Sequence, residues 1–315
     1  MPLIATLTLN PAMDLSVSTA RVTDTQKLRC SLPRHDPGGG GINVARVVKT
    51  LGGNAVAVYP AGGPFGELLQ RSLNELGLVH RPVSIAGDTR ESFTVDELES
   101  GLQYRFVLPG PALAEQELQR CLATLATLRP APAYVVLSGS FPPGVGLCFY
   151  DELLALTRRL GARLVVDLSG EPLRYAARQG GAYLMKPSLD ELCTLMGCAV
   201  LSEAEQEAAL RRLIVQGSAE IIVLSLGAEG ALYACCDQLQ RLPSPDVAVV
   251  SAVGAGDSML GAMVLALAEE QSLREAVRLG IAAGAATVIR PGTELCHRDD
   301  VQRLLTMESD PTRSG

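Results

Sequence analysis

The sequence predicts an α/β protein: a doubly wound, mostly parallel sheet with helices on both faces, plus a small β-sheet lid. Three observations predict it. Short apolar runs alternate with amphipathic helical patterns, and glycines stand at the C-terminal ends of the helices, the signature of βαβ units. Two further stretches alternate apolar and polar residues with no helix between them. Hydrophobic residues make up 47% of the 315 residues against 19% charged, which provides a large core and excludes a disordered chain.

The first strand is expected at residues 3–9, ending in Asn10-Pro11. A helix follows at 42–51, closed by Gly52-Gly53, and then a strand at 55–59. The next helix, 65–76, is closed by Gly77. Strands at 134–137, 164–166, 183–185 and 221–224 and helices at 150–160 and 203–216 continue the rhythm. Residues 257–305 read as stacked helices and 307–315 as a frayed tail. The two stretches without helices read as inserted β-hairpins. The expected organisation is therefore a core of 1–13, 37–88 and 109–306, with a lid of 14–36 and 89–108. Alternation in the lid leaves one apolar face that the core does not cover, so a substrate cover or a subunit contact is expected there.

The net charge of −7 gives no basic footprint for nucleic acid. Eight cysteines form no Cys-x-x-Cys pair, and with only three histidines there is no zinc pattern. Buried free thiols are expected, with Cys235 and Cys236 on opposite faces of a strand. The opening residues carry no basic n-region, and the longest near-continuous apolar run, 259–268, falls short of the roughly 20 residues that span a bilayer. A soluble cytoplasmic protein is expected.

Four segments carry chemistry. Gly38–41 run straight into a helix pattern at Ile42-Asn43, where exposed main-chain amides and a helix N-terminus suit a polar or anionic small molecule. Gly254-Ala255-Gly256-Asp257 opens a long apolar helix. Successive amides there can form an anion nest, and a carboxylate beside it can accept a hydroxyl proton. This segment is no dinucleotide fingerprint, which removes a nicotinamide oxidoreductase, and no Walker A loop, since the chain has no Gly-Lys dipeptide. Lys186-Pro187-Ser188 ends a strand, and Ser188 with Glu191 fits a capping box as well as a phosphate site. Ser225 to Gly230 is a glycine-bearing turn between strands.

In this order and spacing, with Asn10-Pro11 and Asp14 at the first strand end and Ser138-Gly139-Ser140 before Pro142-Pro143-Gly144, the segments resemble the ribokinase-like (PfkB) carbohydrate kinases over nearly the whole chain. Gly38–41 without a lysine, Lys27-Leu28-Arg29-Cys30 and Gln103-Tyr104-Arg105-Phe106 are most similar to the minor-type bacterial 6-phosphofructokinase branch.

The resemblance implies ATP-dependent phosphorylation of the 1-hydroxyl of fructose 6-phosphate. Tagatose-6-phosphate kinase or 1-phosphofructokinase activity, or a non-catalytic sugar-phosphate sensor, are the alternatives. It implies Asp257 as base and the amides of Gly254, Ala255 and Gly256 as anion hole. Asp14, Gly39, Gly40, Asn43 and Ser140 would contact the sugar, and Lys27, Arg90 and Arg105 its phosphate, Lys27 acting across a homodimer built through the lid. Lys186, Ser188, Ser225, Gly227 and Gly230 match nucleotide-site positions. Mg²⁺ would arrive with ATP, near Glu191 through water, and K⁺ could meet carbonyls of Val253, Arg290 and Gly292. Three positions depart from the family pattern: Ser188 for Asn, Ala252 for Thr, and Ser251 for an acidic residue.

Overall fold

The computed structural model describes residues 1–307. The N-terminal strand β1 (Leu3–Leu7) is buried along its whole length, because both faces of the sheet are covered. Leu3, Ala5 and Leu7 join one apolar cluster and Ile4 the opposite one, as period-2 alternation requires. Strands β2 (Ala12–Thr19) and β3 (Arg34–Gly38) leave this sheet and lead into α1 (Gly40–Thr50). Next come β4 (Asn54–Ala61), α2 (Gly63–Glu75) and β5 (His80–Ser84). Strands β6 (Arg90–Glu97) and β7 (Gln103–Val107) again leave the main sheet.

The chain returns through α3 (Glu115–Thr127), β8 (Tyr134–Ser138), α4 (Phe149–Leu160), β9 (Arg163–Asp167), α5 (Gly170–Gln179), β10 (Ala182–Met185) and α6 (Leu189–Met196). Then follow α7 (Glu203–Val215), β11 (Ala219–Ser225), a 3₁₀ turn (Gly227–Glu229), β12 (Ala231–Ala234) and β13 (Leu239–Leu242). Helices α8 (Ala255–Ala268), α9 (Leu273–Val288) and α10 (Arg298–Met307) close the fold. Met307 thus ends a helix. The rest of the expected tail lies outside the described residues.

Among the described residues the main sheet has nine strands in the order β13-β12-β11-β10-β9-β8-β1-β4-β5. All neighbours from β11 to β5 are parallel, and the β11-β12-β13 edge is antiparallel. One face carries α3 to α7, including Leu125, Leu153 and Leu210. The other carries α1, α2, α8 and α9, including Ile42, Leu69 and Met263. Helix α8 is hydrophobic all round because α1, α9 and the sheet enclose it, with Ala262, Ala282 and Ala286 filling a further layer. Strand order reverses between β1 and β8, so the C-terminal strand ends open a crevice there, the usual ligand position in such sheets.

The smaller sheet has the order β3-β2-β6-β7. Its two antiparallel pairs are joined by a parallel β2–β6 contact from Ala12↔Arg90 to Thr19↔Glu97, so the two sequence-distant stretches form one surface. The first is no tight hairpin: residues 20–33 form a long connection, anchored where Glu97 accepts the Val22 N–H at 2.8 Å. Two cysteine expectations are corrected. Cys235 and Cys236 sit in the turn after β12, with both thiols toward Asp237 Oδ1 (3.2 and 3.5 Å). Among the eight free cysteines, Cys30, Cys148, Cys198 and Cys236 are exposed, so the thiols are not uniformly buried.

Candidate active site

Two cavities meet at the start of α8. The first, of about 450 Å³, lies under the small sheet at the β1/β8 crevice. The second, of about 380 Å³, lies between the β11–β12 turn, the 244–249 segment and α9. Gly256 lines both, so a ligand in each would touch at this residue.

The local folding of this junction follows from Gly254. It caps α8 in the left-handed region (φ 77°), which glycine adopts without a Cβ penalty, and a Cβ there would come within 2.6 Å of Leu295. The first intrahelical bond runs from Ser258 N–H to the Gly254 carbonyl at 2.8 Å. The amides of Ala255, Gly256 and Asp257 precede it and belong to the unpaired first turn. Of these, Ala255 N–H reaches the Ala252 carbonyl only at 3.4 Å. These donors and the helix dipole favour an anion between the two cavities.

Asp257 projects from the first turn of α8 into the wall of the first cavity. Burial raises its carboxyl from the ordinary value to about 7, and the nearby Asp167 carboxylate adds to the rise. A hydrogen bond from Asn43 Nδ2 (2.9 Å), then Lys186 and Arg105, oppose it. An acid poised near neutrality beside an anion-binding turn suits general-base work.

Asp167 ends β9, the next strand end along the crevice, and pairs with Lys186 Nζ at 3.2 Å. Lys186 follows β10 and is buried. Burial works against its charge, but Asp167, Asp257 and Glu191 together hold its pKa above the ordinary lysine value. A Cβ on Gly256 would stand 3.4 Å from this ammonium, which places it beneath the glycine turn.

The small sheet contributes the polar roof. Asp14 on β2 faces inward, and burial pushes its carboxyl up while Arg105 and Arg90 pull it down. Arg90 donates to the carbonyls of Asn10 (3.1 Å) and Leu108 (3.0 Å), which fixes its guanidinium at the cavity edge. Arg105 lines the same cavity and is exposed. Gly39, with φ 111°, caps α1, and Gly40 closes against Ser138 so tightly that a side chain would collide with its hydroxyl. Asn10 Nδ2 donates to Ser140 Oγ (3.0 Å), leaving that hydroxyl to donate to a ligand.

Of the residues expected at a sugar phosphate, Asp14, Gly39, Gly40, Asn43, Arg90, Arg105 and Ser140 line the first cavity. Lys27 does not: it is exposed on the 20–33 connection. Gly254, Gly256 and Asp257 line that cavity, as do Val253 and Glu191. Ser225, Gly227, Gly230, Ala255 and Gly256 line the second, predominantly apolar cavity. Ser188 lines neither. Its hydroxyl caps α6 by accepting Glu191 N–H (3.3 Å), and Glu191 Oε2 accepts Ser188 N–H (2.8 Å), so the capping-box reading describes this pair. Arg290 is ion-paired with Asp300, and the Gly292 carbonyl accepts the buried Ser251 hydroxyl at 2.6 Å. Asp167 and Arg46 are not named in the sequence reading, and Ser138 and Asn10 enter it only among the resembling segments, with no role in the site. Asp167 and Ser138 both end parallel strands next to the switch point, a position that becomes meaningful only once the strand order is known.

The pfkB family carbohydrate kinase model matches residues 7–300. The chain is 46% identical over 314 residues to the ATP-dependent 6-phosphofructokinase isozyme 2 of Mycobacterium tuberculosis, covering 100% of this chain and 92% of the relative. The crystal structure of phosphofructokinase-2 from Escherichia coli in complex with fructose-6-phosphate superposes with a TM-score of 0.92 at 40% identity, over 98% of this chain and 100% of that one. The same enzyme in complex with potassium gives 0.94 at 41%, over 98% and 100%. The ribokinase-like fold expected from the motifs is therefore present, and the chain belongs to the pfkB family of carbohydrate kinases.

Proposed function

We propose that this kinase transfers the terminal phosphoryl group of ATP to the 1-hydroxyl of fructose 6-phosphate, giving fructose 1,6-bisphosphate and ADP. The observation that carries the reading is the position of Asp257, with its raised pKa, at the junction of a polar cavity and an apolar cavity. The apolar cavity, walled by Val249, Met259 and Ile281, suits a nucleobase and ribose. The polar cavity, with Asp14, Asn43 and Ser140, suits sugar hydroxyls, and Arg90 and Arg105 at its edge suit a terminal phosphate. Asp257 takes the hydroxyl proton as the oxygen attacks. The unpaired amides at the start of α8 and the Lys186 ammonium hold the charge on the moving phosphoryl group.

Mg²⁺ would arrive with ATP and offset the charge of its phosphates. Glu191 Oε2 is committed to the α6 cap, which leaves Oε1 for a metal-bound water. A K⁺ ion at the carbonyls of Val253, Arg290 and Gly292 would have to take the Gly292 carbonyl from the Ser251 hydroxyl, which donates to it at 2.6 Å, and Arg34 already donates to the neighbouring Pro291 carbonyl. ADP release measured across fructose 6-phosphate, tagatose 6-phosphate and fructose 1-phosphate, in Na⁺ or K⁺ buffer, tests the substrate. Turnover confined to another sugar phosphate, or none at all, overturns the reading.

Arg105→Ala should raise KM for fructose 6-phosphate about 10- to 100-fold, since a hydrogen bond to a charged group is worth roughly 1.5–3 kcal/mol. The kcat at saturating sugar should change only a few-fold at pH 8. Steady-state kinetics with the sugar as varied substrate checks this.

The outer face of the small sheet supports a homodimer. Phe93 and Phe106, cross-strand neighbours on the face opposite Arg105, stack at 4.6 Å between centroids, yet Phe106 remains exposed, as does Leu32 on the 20–33 connection. A second copy would cover these side chains and could bring its Lys27 to the sugar phosphate. Sedimentation of the free enzyme should give a dimer mass; a monomer at micromolar concentration with full activity would refute this.

A further inference from the structure

Asn43 can present either end of its amide to Asp257, and one neighbour decides which. Arg46, one turn further along α1, donates from Nη1 to Asn43 Oδ1 at 3.1 Å and to the Pro37 carbonyl at 2.8 Å. A guanidinium has no acceptor, so the Asn43 oxygen must face Arg46. The amide NH₂ is thereby turned toward Asp257 Oδ2, to which it donates at 2.9 Å. The opposite amide orientation would set an oxygen against a carboxylate and leave the guanidinium facing an NH₂ group. Asn43 is 8% exposed, so water has little room to substitute for either bond.

We propose that Arg46 is a positioning residue for phosphoryl transfer, which locks the Asn43 amide so that it donates to one oxygen of the Asp257 carboxylate and leaves the other free for the sugar hydroxyl. The inference rests on Asp257 being the base, as argued above. The bond from Asn43 favours the charged, base-competent carboxylate against burial and Asp167, which push the other way. Arg46 also adds attraction from its own charge, directed at Asp36, Asp14 and Asp257. The remaining charged groups acting on Asp257 are Lys186 and Arg105, which a change at position 46 leaves in place. Pro37 belongs to β3, so the same guanidinium ties a strand of the small sheet to the base.

The test is the pH profile of kcat/KM for fructose 6-phosphate, whose acid limb reports the base in the free enzyme. In the unaltered enzyme the limb is expected near pH 7. Arg46→Met keeps the stem but removes the donors. The limb should move to higher pH by about one unit, the usual scale for loss of such a hydrogen bond and nearby charge. Activity at pH 6.5 should then fall about tenfold and largely recover at pH 9. Arg46→Lys, which retains a cation and a donor, should shift the limb less. In an Asn43→Ala background, Arg46→Met should add only a small further shift, from charge alone.

An unmoved limb with a uniform loss at every pH would assign Arg46 a merely structural role and overturn the proposal. So would an equal shift from Arg46→Met with and without Asn43. If Arg46→Met does not fold, Arg46→Lys and Asn43→Ala decide alone: no shift in either refutes it. Absence of turnover in the unaltered enzyme is a separate result, which refutes the assigned reaction rather than the role of Arg46.

Discussion

Asp257→Asn is expected to lower kcat at least about 10²-fold and up to 10⁴-fold, the range for removal of a general base, while the protein folds and keeps its affinity for ATP. The amide is nearly isosteric and leaves the 254–256 turn intact, so the loss falls on proton removal. The same substitution should stabilise the ligand-free protein at neutral pH. The carboxyl of Asp257 is raised in the folded state from 3.8 to about 7, so the folded protein holds this proton more tightly than the unfolded chain does. That contribution is fully present below about pH 4 and is lost as pH rises toward 7 and above. At pH 8 the unaltered protein therefore carries a buried charge beside Asp167 at a cost on the order of a few kcal/mol. Denaturant curves should show the asparagine variant gaining on the parent between pH 4 and 8. Equal stability at both ends of that range, or retained kcat, would contradict the assignment of Asp257 as a strained base.

Much of this was legible in the chain because its strongest signals are local. Gly-Ala-Gly-Asp places three amides and an acid within one helical turn, and no tertiary information is needed to see what they can do together. Alternation and glycine stops place β1, β4, β8 to β11, α1, α2, α4 and α7 to within two residues of their observed bounds. The helix at Glu115–Thr127 was not read, although Leu118, Cys121, Leu122 and Leu125 give helical spacing, because polar residues dilute the pattern around them.

What local pattern could not supply was pairing across distance. The parallel β2–β6 contact joins residues about 80 positions apart, and it alone brings Asp14 opposite Ser92 and beside Arg90. Asp167 and Arg46 were invisible for the same reason: each looks like an ordinary end-of-strand or helix-surface charge until Lys186 or Asn43 is brought against it. Ser188 illustrates the opposite case, in which a purely local motif, the capping box, describes the bonds the residue makes.

Lys186→Met should be the most damaging single change outside the base, because it acts on stability and chemistry together. Lys186 and Asp167 are 5% and 14% exposed, so neither charge is well hydrated once its partner is gone. Removing one member of a buried pair typically costs about 3–5 kcal/mol, most of it the uncompensated charge left behind. Here the remaining Asp167 carboxylate would also lie next to Asp257 with no cation between them. Two carboxylates in one site raise each other's protonation, so the base is pushed further above 7. The acid limb of the rate profile should move up together with the fall in melting temperature. The double variant Lys186→Met/Asp167→Leu separates the two effects: without the orphan carboxylate, stability should largely return. Activity should not, because the cation beneath the glycine turn, which would meet the transferred phosphoryl group, is still missing. Recovery of kcat in that double variant would mean Lys186 serves only to neutralise Asp167.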